Sequence, residues 1–160
     1  MSLKVDIQTA SSEPVPDEDD IRRWIASALR ISGREGDSEV SVRLVDTEEM
    51  TRLNGDFRGV HRPTNVLSFP SDLPPKLQLP LLGDIVICAP VVRAEAAAQH
   101  KTLEAHWAHM AIHGALHLLG YDHVEDSDAA VMEALESRIL QQLDYPCPYQ
   151  GEPALEQRGA

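Results

Sequence analysis

Residues 102–123 constrain the fold more than any other stretch of the chain. They hold five of the seven histidines: His106, His109, His113, His117 and His123. From Thr102 to Leu119 nothing breaks a helix except Gly114. Leu103, Trp107, Ile112, Leu116, Leu118 and Leu119 point in several directions around that helix, and a helix apolar nearly all round is a buried one. Yet His106, His109, His113 and His117 share one stripe, by steps of three and four residues. A central helix with a polar seam is the expectation, and a buried polar seam requires partners for its polar atoms.

His113 and His117 stand one turn apart, about 6 Å along the axis. Gly120 suits the C′ position that ends a helix in positive φ. The turn there lets His123 swing back toward the other two. The spacing H-x-x-x-H-x-x-G-x-x-H therefore offers three imidazoles to one ion, and His113, His117 and His123 are the expected metal ligands. Three neutral imidazoles with an open fourth position form a catalytic rather than a structural zinc site. One Zn²⁺ is expected, although such a site also accepts nickel or other first-row ions. Metzincin proteases share the spacing, but their general-base Glu follows the first His. Here that position is Gly114, which speaks against peptidase chemistry.

The chain has 160 residues, of which 42% are hydrophobic. This suits one domain with one real core. No apolar run approaches a membrane span, and Leu3–Ile7 alternates like a strand rather than a secretory leader. Cys88 and Cys147 do not make a disulfide framework, so a reducing cytoplasm is the expected location. The net charge of −12 is unevenly spread. Residues 43–101 hold seven acids and seven Lys or Arg, while most of the excess acid lies on either side. This charge argues against tight non-specific binding to duplex DNA and leaves RNA open.

Periodicity predicts strands at Leu3–Ile7, Val40–Val45, Thr64–Phe69 and Leu82–Ala89. Helices are predicted over Ile21–Arg30, from Thr47 through Phe57, from Pro90 through His100, over the histidine stretch, and from Asp126 or Ser127 to Leu143. Asp46 or Thr47 is expected to cap the second helix, and Asp126 or Ser127 the last. Val131, Leu135, Ile139 and Leu143 are expected to bury the last helix. Ser71 to Pro80 holds three prolines and reads as a loop. Residues 151–160 read as a frayed tail beyond a single domain spanning 1–150. The order β-α-β-α-β-β-α-α-α predicts an α+β domain with a small mixed sheet packed against the histidine helix.

A second stretch carries Asn54, Phe57-Arg58, and then Pro63-Thr64-Asn65-Val66-Leu67-Ser68-Phe69. A third carries Gly83-Asp84-Ile85. With His113-Gly-Ala-Leu-His117-Leu-Leu-Gly-Tyr-Asp-His123, these resemble the bacterial YbeY family, metal-dependent endoribonucleases that mature ribosomal RNA. His61 departs from the pattern, standing where the family often has an acid. The resemblance implies that Arg58 is catalytic and that His113, His117 and His123 hold the metal. It implies single-stranded and ribosomal RNA as substrate, and the ribosome or small-subunit ribosomal proteins as partners, with no membrane. Without the resemblance, Arg58 reads as a solvated surface arginine or a helix-end cap rather than as a functional residue.

The chemistry agrees with these residues. A His₃ metal lowers the pKa of bound water toward ~7 and polarises a phosphoryl oxygen. A planar guanidinium holds two phosphate oxygens at once, which Lys does not. Water and the ribose 2′-hydroxyl both stay open as nucleophile. Asp84 reads as a structural carboxylate, and Asp122 as either an orienting partner of His123 or a turn residue. Ser68 reads as a core residue rather than a nucleophile. Two other functions stay open: a metal-dependent hydrolase of another substrate, peptidase-like, and a non-catalytic ribosome-assembly factor with a structural metal.

Overall fold

The computed structural model describes residues 2–71, 80–121 and 125–149. Nine elements follow in the predicted order: β1 (Leu3–Thr9), α1 (Glu18–Ile31), β2 (Ser38–Val45), α2 (Thr47–Arg58), β3 (Val66–Pro70), β4 (Leu81–Cys88), α3 (Ala89–Ala98), α4 (Leu103–Leu118) and α5 (Asp126–Gln142). The sheet order is β1-β2-β4-β3. β1, β2 and β4 run parallel, and β3 returns antiparallel against β4. The architecture is the expected α+β domain with a mixed sheet.

From Ile85 to Cys88, β4 is buried on both faces, as a central strand must be where helices cover both sides. Its side chains alternate between two cores. Ile85 and Ile87 join Val42 and Leu44 of β2 under α1, α4 and α5, where Trp24, Trp107, Ile112, Leu116 and Ile139 are packed. Val86 and Cys88 join Val45, Leu67 and Met50 on the other face, with Leu53 of α2 and Val91 of α3 against them. Each fully buried aliphatic side chain contributes about 1.5–3 kcal/mol. Trp24 donates its indole N–H to the Tyr145 hydroxyl at 3.2 Å, and Tyr145 donates to Glu104 at 2.7 Å. That chain of bonds ties α1, the start of α4 and the segment after α5 together.

Several local expectations differ from what the chain does. α1 begins at Glu18, three residues before Ile21, because Glu18, Asp19 and Asp20 form its first turn and favour the positive end of the helix dipole. Asp46 occupies the N-cap position of α2 but its side chain makes no cap bond. Its carboxylate instead accepts from Ser11 Oγ at 2.5 Å and from the backbone N–H and Oγ of Ser12. Pro70 belongs to β3. Among the described residues β3 pairs only with β4, so an imino residue there costs no ladder bond on its outer side.

α5 is rotated from its predicted face. Val131 is 57% exposed, and the buried positions are Met132, Glu136, Ile139 and Leu140. The cap of α5 is Glu125, with no side-chain cap bond. Cys88 and Cys147 form no disulfide. Among the described residues no helix is long and apolar enough to cross a membrane. The expected loop at 72–79 and tail at 151–160 lie outside the described residues, as does His123.

Candidate active site

α4 is the seam-bearing helix. Thr102 caps it, its Oγ1 accepting from Ala105 N–H at 3.1 Å. Gly120 ends it at φ 100°, with its N–H on the His117 carbonyl at 3.0 Å. Gly114 faces the sheet. A Cβ there would stand 2.8 Å from Ile85 Cγ2, so the helix lies against β4 at this point. Ser68 Oγ of β3 donates to the Gly114 carbonyl at 3.1 Å. The side chain at position 114 therefore points into the core, where a Glu has no room to act as a base.

The four histidines of the stripe have two kinds of surroundings. His106 is buried and its Nε2 meets Glu95 Oε1 at 2.9 Å. Glu95 also accepts from Asn65 Nδ2 at 3.2 and 3.3 Å. The His106 bond, joined by that from Asn65, overcomes desolvation and holds the Glu95 carboxyl below its ordinary value. His109 is buried, with Nε2 at 3.2 Å from Glu136 Oε2. Burial pushes its imidazole pKa down, toward the neutral ring. His113 Nδ1 lies 2.6 Å from the same oxygen. The Tyr149 hydroxyl donates to Glu136 Oε1 at 2.5 Å. Burial of Glu136 favours its neutral form, but the bonds from His109 and His113 win and keep it a carboxylate.

His113 and His117 also line a cleft of about 300 Å³, together with Arg58, Thr64, Asn65, Val66, Leu67 and Ser68. Their ring centroids are 4.7 Å apart. Arg58 is the last residue of α2, which Gly59 terminates, and it is exposed. The loop between Arg58 and β3 is pinned by Asn54, whose buried amide donates to the Arg62 carbonyl at 2.9 Å. Phe57 lies beside the cleft-forming strand, 65% exposed, with its ring 4.6 Å from that of Phe69. No carboxylate is among the described lining residues. Among its described residues, the cleft thus holds one guanidinium and two imidazoles in an otherwise acidic chain.

The cleft joins three of the four residues expected to act: Arg58, His113 and His117. His123 and its neighbour Asp122 lie outside the described residues. Donor atoms of His109, His113 and Glu136 lie within 4.8 Å of one another, a group able to hold a metal ion. Its closest pair, however, has hydrogen-bond length. Two donors sharing one zinc at 2.0–2.1 Å in a tetrahedron stand about 3.3 Å apart, and His113 Nδ1 to Glu136 Oε2 is 2.6 Å.

Comparison with known proteins places the chain in a family. The family model described as Endoribonuclease YbeY matches residues 6–144. The chain belongs to the YbeY family. A protein of Stutzerimonas stutzeri named Endoribonuclease YbeY is 55% identical over 148 residues, covering 92% of this chain and 91% of that protein. One of Cellvibrio japonicus with the same name is 53% identical over 147 residues, covering 91% and 82%. The solution structure of TM1509 from Thermotoga maritima is similar, with a TM-score of 0.58 at 28% identity, covering 96% of this chain and 95% of that one.

The stretches that carry the YbeY resemblance meet in space. Residues 58 and 64–68 form one wall of the cleft and the histidine helix the other. Gly83 has φ 143°, and a Cβ there would collide with the Phe69 carbonyl oxygen, so this position serves the close β3–β4 pairing. Asp84 is exposed on β4 opposite Phe69, within a strand rather than a turn. His61 lies against Gly55, where an added Cβ would stand 2.7 Å from its Nδ1.

Sequence reasoning missed Glu136 and Tyr149. A signal existed for Glu136. It sits four residues after Met132 and three before Ile139, so helical periodicity places it on the buried face of α5.

Proposed function

We propose that this chain is a metal-dependent, single-strand-specific endoribonuclease that hydrolyses phosphodiester bonds in ribosomal RNA maturation and ribosome quality control. The observation that carries the reading is the shared cleft of Arg58, His113 and His117. Membership of the YbeY family and relatives named as endoribonucleases support it.

The donor set fits zinc. His113 and His117 are adjacent imidazoles on one cleft wall. The Glu136 contact commits Nδ1 of His113, leaving Nε2 as its ligating nitrogen. His113, His117 and His123 are the ligands of this proposal. When bound, the metal supplies Lewis acidity and a water of lowered pKa. Arg58 does the work of phosphate recognition. Its fork of N–H donors spans two non-bridging oxygens and balances the charge that grows on them in the transition state. Being at a helix end and exposed, it reaches a strand of RNA from the solvent side.

Two other wall groups are committed to the scaffold. Ser68 Oγ bonds the Gly114 carbonyl, and the Asn65 amide bonds Glu95. Neither is placed to act as nucleophile or base. A cleft with a single Arg and no Asp or Glu among its described lining residues also suits an extended single strand better than a rigid duplex, which demands more basic contacts. The cytoplasm, with the ribosome or its small-subunit proteins as partners, is the setting this reading implies.

The test is cleavage of an end-labelled single-stranded RNA by purified protein, before and after chelation, with zinc restored. Cleavage that stops with the chelator and returns with zinc supports the reading. Cleavage indifferent to the chelator contradicts metal dependence. A protein that never cuts, yet binds assembling ribosomal particles, belongs to the non-catalytic reading. The product ends name the nucleophile. A cyclic 2′,3′-phosphate indicts the 2′-hydroxyl, and a plain 5′- or 3′-phosphate indicates water.

A further inference from the structure

Glu136 is 1% exposed, an acid in the core whose partners among the described residues are His109, His113 and Tyr149. Such burial is costly unless each oxygen is hydrogen-bonded. Both are. Oε2 accepts from His113 Nδ1–H at 2.6 Å and His109 Nε2–H at 3.2 Å, and Oε1 accepts from the Tyr149 hydroxyl at 2.5 Å. A carboxylate offers acceptors only, so each histidine must present an N–H to it. The proton on His113 is therefore fixed at Nδ1.

We propose that Glu136 is a positioning residue for metal capture, holding His113 as the Nδ1–H tautomer with Nε2 as its donor to the cleft ion. This rests on the reading that His113 is a metal ligand. The carboxylate does for His113 what a backbone carbonyl or acid commonly does for a ligating histidine: it sets ring orientation and raises basicity at the far nitrogen. His109 and Tyr149 act one step behind. They occupy the remaining approaches to the carboxylate and keep it aimed at His113. The pattern joins α4, α5 and the segment carrying Tyr149 to one ligand. A merely structural ion pair between α4 and α5 would need no partner on the cleft-lining His113.

The 2.6 Å contact separates this role from direct ligation by Glu136. An ion bound by both groups would hold their donor atoms about 3.3 Å apart.

The test is zinc affinity, measured by competition with a chromophoric chelator, for the wild type, Glu136→Gln, Tyr149→Phe, His109→Ala and His117→Ala. Glu136→Gln is expected to weaken zinc binding by about 10- to 100-fold, Tyr149→Phe by less, and His117→Ala by more than either. An unchanged affinity in Glu136→Gln, with binding lost in His117→Ala, overturns this role and leaves the metal reading standing. Loss in both Glu136→Gln and His109→Ala, with His117→Ala unaffected, also overturns it, because the ligands are then His109, His113 and Glu136. A wild type that binds no zinc overturns both.

If Glu136→Gln does not fold, the metal-free wild type decides. Nitrogen-15 NMR showing His113 protonated at Nδ1 supports the role, and protonation at Nε2 overturns it. Neither readout depends on RNA cleavage, so a failed nuclease assay leaves this inference intact.

Discussion

Arg58 and His117 line the same cleft although their helices cover opposite faces of the sheet. α2 packs on Val86, Cys88 and Leu67, and α4 packs on Ile85 and Ile87. They meet at β3, the last strand of the sheet among the described residues. Only an edge strand permits this. A further strand beyond β3 would separate the guanidinium from the imidazoles.

Arg58→Lys tests whether geometry or charge matters at that edge. Lys keeps the charge and loses the fork. Loss of one donor to a developing oxyanion typically costs about 100- to 1,000-fold in rate. Arg58→Ala is expected in that range and Arg58→Lys near it, with the melting temperature unchanged because the side chain is exposed. Steady-state cleavage of a labelled RNA and thermal melts of the same samples check both halves.

Gly114 sets how closely α4 approaches β4. Gly114→Ala puts a methyl 2.8 Å from Ile85 Cγ2. Overpacking of this kind costs about 1–3 kcal/mol, against which the better helix propensity of Ala returns up to about 1 kcal/mol. A net loss of stability is expected in urea unfolding. Gly114→Glu, the peptidase-like residue, is expected to destabilise far more. A stable Gly114→Glu protein would contradict the packing described for α4.

The order of the nine described elements was legible in the sequence because alternation and helical periodicity agreed with turn chemistry along the chain. The pairing of His113 with His117 on one face of α4 was legible for the same reason, since both lie within one helix; the third expected ligand, His123, lies outside the described residues. What was not legible arises between elements. Asp46 was expected to cap α2, but its carboxylate is claimed by Ser11 and Ser12, thirty-odd residues away in sequence. Val131 was expected inside, and Glu136 lies there instead, because three polar partners from α4 and the segment after α5 outweigh one apolar side chain. Arg58 gave no signal of its own, since an arginine at a helix end is ordinary. Only the resemblance singled it out, and only the fold brings it beside His113 and His117.

Stability should fall on the acid side through Glu95. Its folded pKa is lowered by the His106 bond, with Asn65 and the charge of Lys101 adding to it. A depressed carboxylate pKa gives stability that is fully present above the unfolded value, ~4.3, and is lost as pH falls from there through the folded value. Asp46 adds to the same trend, since Ser11 and Ser12 hold its pKa down. Glu95→Gln removes one share of it. Melting temperatures between pH 7 and pH 3 should drop less steeply below pH ~4.3 in Glu95→Gln than in the wild type. Parallel curves would remove Glu95 from the account.

Asn54→Ala should loosen the Arg58 side of the cleft. It strips the Arg62 carbonyl of its amide donor, at a cost of about 0.5–1.5 kcal/mol for a part-buried hydrogen bond. Hydrogen exchange should rise in residues 59–65 before it rises in β4. Uniform acceleration across the sheet would instead make Asn54 a part of the global core.

The most direct test of the central claim is the rate of single-stranded RNA cleavage by zinc-loaded wild type, Arg58→Ala and His117→Ala, with each protein's melting temperature taken alongside. A shared metal–arginine cleft predicts that both variants lose at least about 100-fold in rate, while Arg58→Ala melts with the wild type. Cleavage by a folded Arg58→Ala at the wild-type rate would contradict it.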